Sequence, residues 1–242
     1  MKAVDVWWLN LAATQAQVAA WKRLLSPDES ERAERYRFRH DHDRFVAGRA
    51  RVRLVLGDLL GQAPSAVTFA YGPWGKPHLD GAELEFNLSH SGEIALLAVA
   101  DGVRVGVDVE GVRHELVGDR VAERFFAPGE VRRLDALAER ERMPAFFECW
   151  TRKEAFVKAN GAGLSCGLDD FEVSFGPTET PAVVSCVAAL GTPCQWSVLD
   201  VSREPGMPAA VVVESADVRL VAHREETATQ PILTRSRRTR TT

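Results

Sequence analysis

The chain has 242 residues, 45% of them hydrophobic and 26% charged, with a formal net charge of −4. That length allows one large domain or two modest ones with a real core, and the composition is ordinary for a globular protein. The acidic balance gives the molecule as a whole no electrostatic reason to seek nucleic acid or an anionic membrane, so any anion site must be local.

The longest clean apolar run, residues 94–100, is far too short to span a bilayer. Asp5 interrupts the N-terminal apolar stretch, so "MKAVDVWWLNLAA" reads as a first strand over residues 1–10 and not as a signal peptide. Cys149, Cys166, Cys186 and Cys194 form no CxxC pair, which suits reduced thiols in a cytoplasmic protein.

Residues 32–53 are dense in arginine: Arg32, Arg35, Arg37, Arg39, Arg44, Arg49, Arg51 and Arg53. A helix is expected after Asp41, with Phe45, Gly48, Val52, Leu56 and Leu59 near helical spacing and Asp41 or Asp43 as N-cap. A solvated helix face is the usual account of such a run. The sharper account is an anion cradle, because Arg44 sits in the first turn, Arg49 lies within the apolar stripe, and Lys76 follows in "WGKPHL".

"VTFAYGPWGKPHL" then reads as a strand entering a Gly/Pro loop, and "LEFNLSHSGEIALLAVADGVRVGVDVE" as three strands. Turns at Ser91-Gly92 and Asp101-Gly102 separate them, the Asp-Gly pair being a hairpin signal. Within "FNLSHSG", Ser89 and His90 can offer a hydroxyl and an imidazole to a phosphate. As strand neighbours they point oppositely and cannot form a nucleophile–base pair.

In "VRVGVDVE", Val103, Val105, Val107 and Val109 share one strand face, and Arg104, Gly106, Asp108 and Glu110 the other. Strand positions i and i+2 lie about 6.6 Å apart, so Asp108 and Glu110 can reach one hard divalent cation. Gly106 keeps that face open for a ligand or another backbone. The bland alternative is one solvated polar face.

Helices are expected at 115–126, 129–141 and 144–160, the last ended by Gly161 or Gly163. Strands are expected around 170–175, 182–188, 194–201, 209–215 and 218–222. In "FFECWTRKEAFVKANGAGL", Phe146, Phe147, Trp150 and Val157 make an apolar stripe. Lys153 and Glu154 fall inside or at its edge, with Lys158 one turn on. A surface Glu–Lys pair explains the spacing but not the apolar company, so these charges require partners or a cleft. The whole pattern is α+β: two similar subdomains, 1–111 and 112–225, each an antiparallel sheet on helices, then a disordered basic tail over 226–242.

Together "WGKP" (74–77), "FNLSHSG" (86–92), "VGVDVE" (105–110) and "WTRKEAFVKANGAGL" (150–164) resemble, in order and spacing, the phosphopantetheinyl transferases of the surfactin-synthetase (Sfp) type. The similarity covers roughly residues 25–175. One departure is "RFFAPGE", where Ala127 stands in place of the family's frequent Ser or Thr.

The resemblance implies transfer of 4′-phosphopantetheine from coenzyme A to a serine of an apo carrier protein, releasing adenosine 3′,5′-bisphosphate. It implies a monomer with its active site between the two subdomains, and leans toward secondary metabolism. It makes Asp108, Glu110 and Glu154 ligands of Mg²⁺ (or Mn²⁺), Glu154 the base for the carrier serine, and Lys158 the group that meets the departing phosphate. Arg32, Arg44, Lys76, Ser89 and His90, with Asp108 and Lys158, become contacts of coenzyme A or its phosphates. The competing readings are a non-catalytic protein that binds coenzyme A or carrier domains, and an unrelated nucleotide phosphotransferase. The second calls for a GxxxxGK[ST] or GxGxxG loop, which the chain lacks in context.

Overall fold

The computed structural model describes residues 1–113, 120–161, 163 and 166–224. It is a mixed α/β chain whose antiparallel sheets pack on helices, divided into two compact units. Among the described residues, one unit holds Met1–Trp7 with Phe69–His223 and the other holds Trp8–Thr68 with Arg224.

The smaller unit is helical. Helix α1 (Gln15–Lys22) starts at a Thr14–Gln17 capping box, and α2 (Pro27–Glu34) places its proline at the first turn. The 22-residue α3 (Arg39–Leu60) has Phe38 at its N-cap, ahead of the Asp41 or Asp43 expected there, and ends at left-handed Gly61. Asp43 instead accepts a 2.8 Å bond from Gln15. Arginines on α3 face inward because α2 offers a carboxylate: buried Glu29 takes Arg49 on one oxygen and the Nε of Arg53 on the other at 2.6 Å. Arg53 also donates to the carbonyls of Pro64 (3.1 Å) and Val67 (2.8 Å). Buried Arg51 lies over the Trp21 ring, 4.9 Å from its centroid.

Strands β1 (Lys2–Asn10), β4 (Leu84–Ser91), β5 (Ile94–Asp101) and β11 (Val218–Arg224) form a sheet in the order β11-β1-β5-β4. The β4–β5 hairpin turns at Gly92 as its sequence indicates, with Ser91 opposite Ile94. The Asp101-Gly102 turn does not make the second hairpin. Strand β5 already has β1 on one edge and β4 on the other, so no edge remains, and β6 (Val105–Val109) joins a different sheet. There it pairs with β10 (Ala209–Val213), Asp108 opposite Ala210, and β9 (Ser197–Asp200) completes the order β6-β10-β9. Strands β2 (Phe69–Tyr71) and β3 (Pro77–Leu79) flank the Gly/Pro loop, and β7 (Phe171–Val173) pairs with β8 (Val183–Cys186).

Helix α4 spans Val121–Phe125; the rest of the helix expected at 115–126 falls partly outside the described residues. The helix expected over 129–141 is split by extended Leu137 and Ala138 into α5 (Pro128–Ala136) and the start of α6 (Glu139–Asn160). Helix α6 ends at left-handed Gly161. Its inner face, with Phe146, Phe147, Cys149, Ala155, Phe156 and Ala159, joins Phe171, Trp196 and Val212 in the main core. The basic tail lies outside the described residues.

Gly106 fixes how closely α6 approaches β6. A Cβ there would stand 2.1 Å from the Ala155 carbonyl oxygen and 2.3 Å from the Ala159 nitrogen. The glycine therefore admits the helix backbone, the second of the two alternatives its sequence context offers.

Candidate active site

Strand alternation puts Asn87, Ser89 and Ser91 on one face of β4, and that face meets β6 although the two strands belong to different sheets. The Asn87 side chain accepts from the Val107 N–H at 2.9 Å. Ser89 donates to Asp108 Oδ1 at 2.8 Å, and Ser91 to Glu110 Oε2 at 3.2 Å. From α6, Lys158 Nζ reaches Asp108 Oδ1 at 2.5 Å and Ser89 Oγ at 3.0 Å. Residues from both sides of position 111 thus meet within one compact unit.

Asp108 is 3% exposed, and its second oxygen, Oδ2, is buried without a hydrogen-bond partner. Burial pushes its carboxyl up from the usual aspartate range against the pull of Lys158 and Ser89. Burial likewise raises Glu110, and Asp108 adds to the effect. Half-buried Glu154 is also raised, by burial first and then by Asp108 and Glu110, while Lys158 opposes. The three carboxylates therefore share one field, offset by the Lys158 ammonium and, at Glu110, by Arg113 at 3.6 Å.

Among the described residues no three His, Cys, Asp or Glu side chains form a ready-made ligand cage. That is compatible with a hard cation held by one or two carboxylates together with substrate phosphates, the usual mode for Mg²⁺. The buried, unpartnered Oδ2 of Asp108 and the all-oxygen donor set fit such an ion.

Lys76 donates to the carbonyls of Val105 (3.1 Å) and Lys158 (2.7 Å), tying the entry of β6 to the last turn of α6. Burial lowers its pKa. His90 is exposed, on the face of β4 opposite Ser89. Exposed Arg32 and half-buried Arg44 belong to the helical unit. There Arg32 lies over the Phe45 ring at 5.4 Å and lines a cleft of about 400 Å³ with Arg35 and Tyr36. Arg44 stands 3.9 Å from Asp41. Arg49, expected in an anion cradle, is taken by Glu29 instead.

Two features escape the sequence reading. Ser91 repeats Ser89 at i+2, a spacing that signals a shared face, but nothing local says what that face meets. Lys153 is wholly buried and pairs with Glu130 at 2.7 Å. Its ammonium also donates to the carbonyls of Leu168 and Phe171, both at 2.6 Å. Its place inside the apolar stripe is visible in the sequence; its partner, a helix away, is not. Glu130 further accepts from the N–H groups of Ala127 (2.9 Å) and Val173 (2.7 Å). Ala127 has no oxygen to return the bond, so only half a capping box forms.

Residues 104–212 match the family model for the 4′-phosphopantetheinyl transferase superfamily, and residues 10–101 match a 4′-phosphopantetheinyl transferase N-terminal model. The chain is 37% identical over 214 residues to the 4′-phosphopantetheinyl transferase HetI of Nostoc sp., covering 87% of each chain. It is 30% identical over 167 residues to the 4′-phosphopantetheinyl transferase Sfp of Bacillus subtilis, covering 69% of this chain and 73% of that one. Among solved structures, the Thermotoga maritima holo-[acyl-carrier-protein] synthase aligns with 48% of this chain and 64% of its own at 28% identity and a TM-score of 0.39.

Proposed function

This chain belongs to the 4′-phosphopantetheinyl transferase superfamily, and we propose that it is of the Sfp type, moving 4′-phosphopantetheine from coenzyme A to a serine hydroxyl of an apo acyl or peptidyl carrier protein. The released product is adenosine 3′,5′-bisphosphate. The observation that carries this reading is Asp108, buried and held on Oδ1 by Ser89 and Lys158, with Oδ2 left for a cation.

Asp108, Glu110 and Glu154 are the residues that would hold Mg²⁺ or Mn²⁺. When bound, the ion supplies positive charge against the anionic oxygens around the attacked phosphorus. Glu154 accepts the proton of the carrier serine as general base. The Lys158 ammonium, 2.5 Å from Asp108, carries a positive charge and N–H donors to the departing phosphate. Ser89, His90 and Lys76 contact coenzyme A and its phosphates, and Arg32 and Arg44 of the helical unit are assigned to the same ligand on the family resemblance alone. The division into related halves at residue 111, monomeric state, cytoplasmic location and a role in secondary metabolism complete the proposal. A non-catalytic binding protein would not need all four of Asp108, Glu110, Glu154 and Lys158.

The test is to incubate the protein with coenzyme A, Mg²⁺ and a panel of apo carrier proteins, then weigh the carriers. One added phosphopantetheinyl group is expected, lost with EDTA and nearly lost in Asp108→Ala and Glu154→Ala. No added mass on any carrier would overturn the proposal, and near-normal rates in both variants would overturn the site.

A further inference from the structure

Strand β4 offers hydroxyls at Ser89 and Ser91, and β6 carries carboxylates at Asp108 and Glu110. The two-residue spacing is the same on both strands, and the hydroxyls pair with the carboxylates in order, at 2.8 and 3.2 Å. No backbone ladder joins these strands, which lie in different sheets, so side chains set their register. Ser91 is itself fixed: its Oγ accepts from the Gly111 N–H at 3.0 Å while donating to Glu110. The other close group on Glu110, Arg113 at 3.6 Å, falls on the same oxygen, Oε2. Asp108 shows the same division, with Ser89 and Lys158 both on Oδ1 and Oδ2 without a partner. In each carboxylate the protein's donors converge on one oxygen.

From this geometry we infer that Ser91 is a positioning residue for Glu110, orienting its carboxylate so that Oε1 is presented to the divalent ion. The inference rests on the metal site proposed above. A hydroxyl that donates to a ligating carboxylate fixes its rotamer before the ion arrives, and loss of such an outer partner typically costs about 10–100-fold in metal affinity. Ser91 is half-buried at the end of β4, so removing its hydroxyl also leaves the Gly111 N–H without its acceptor.

The experiment measures Mn²⁺ binding by electron paramagnetic resonance of the free ion, with coenzyme A present and no carrier, so that no turnover enters the readout. Parent, Asp108→Ala, Ser91→Ala, Ser91→Cys and Ser91→Thr proteins are compared, each with its melting temperature. Ser91→Ala is expected to weaken Mn²⁺ binding about tenfold or more, with Ser91→Thr within about twofold of the parent because it restores the donor. Ser91→Cys keeps the volume but is a weak donor, so it should melt like the parent and still bind Mn²⁺ weakly. Parental Mn²⁺ affinity in Ser91→Ala or Ser91→Cys, alongside loss in Asp108→Ala, would overturn the role of Ser91 while leaving the metal site standing. Equal binding by parent and Asp108→Ala would overturn the metal site and the inference together.

Discussion

Gly106 and Ala155 are packed so closely that a single methyl group between them would have to occupy the space of the Ala155 carbonyl oxygen, 2.1 Å from where the new Cβ would be. The clash is with helix backbone and cannot be relieved by a rotamer change. Gly106→Ala must therefore push α6 away from β6, the two elements that bring Lys158 and Glu154 to Asp108. Overpacking of this kind costs about 1–3 kcal/mol. The expected outcome is a lowered melting temperature and a fall in kcat of at least about tenfold, since small misplacements of catalytic groups are heavily penalised. Calorimetry and the carrier-loading assay check it; parental kcat would show that the spacing of α6 does not matter to the chemistry.

Lys153 precedes Glu154 in sequence but does a different job. Its ammonium sits at zero exposure against Glu130 and lies 4.2 Å from the Phe171 ring centroid. Replacing it by methionine leaves the Glu130 carboxylate buried beside two backbone N–H groups and no cation. Breaking one side of a buried pair costs about 3–5 kcal/mol, so Lys153→Met should unfold at markedly lower urea. Removing Glu130 as well should not restore stability, because the N–H groups of Ala127 and Val173 then lose their acceptor.

Glu29 provides the acid sensitivity of the helical unit. Burial favours its neutral form, but Arg49 and Arg53 outweigh burial and hold its pKa below the ordinary glutamate value. A depressed folded-state pKa gives stability that is present above the unfolded value and lost as pH falls through the folded one. Melting temperature should therefore drop as the solution is acidified below the ordinary glutamate range. Glu29→Gln should melt lower at neutral pH and lose that part of the acid dependence. An unchanged acid profile in the variant would show that other carboxylates set it.

Lys76 and His90 both stand among the expected contacts of coenzyme A, yet the structure predicts different phenotypes. Lys76 bonds two carbonyls at the junction of α6 and β6, so Lys76→Ala should lower both melting temperature and kcat. His90 is exposed, so His90→Ala should cost less stability than Lys76→Ala while raising KM for coenzyme A. Steady-state kinetics over a coenzyme A series with parallel melting curves separates the two.

Local order was legible before any coordinates. Strand alternation marked β6, the Ser91-Gly92 turn marked the β4–β5 hairpin, and Gly161 or Gly163 marked the end of α6, because period and turn chemistry depend on neighbours within a few residues. Asp108 and Glu154 stood out because a solvated strand face and a surface Glu–Lys pair account for their spacing but not for the apolar company of Glu154 or for the motif set around both. The same evidence misread the Asp101-Gly102 turn and Arg49 and left Gly106 open between a ligand and a backbone, because each depends on a partner far along the chain: the filled edges of β5, Glu29, and the backbone of α6.

The amino-acid sequence by itself determined which side chains carry charge, which faces they share, and the motif set that resembles one enzyme family. Only the tertiary structure decided who meets whom: Ser91 with Glu110, Ser89 and Lys158 with Asp108, Lys153 with Glu130. The reason is that periodicity encodes the direction of a side chain relative to its own backbone. The partner it finds there depends on which sheet edges are free and how closely a helix can approach, which are properties of the packed chain as a whole.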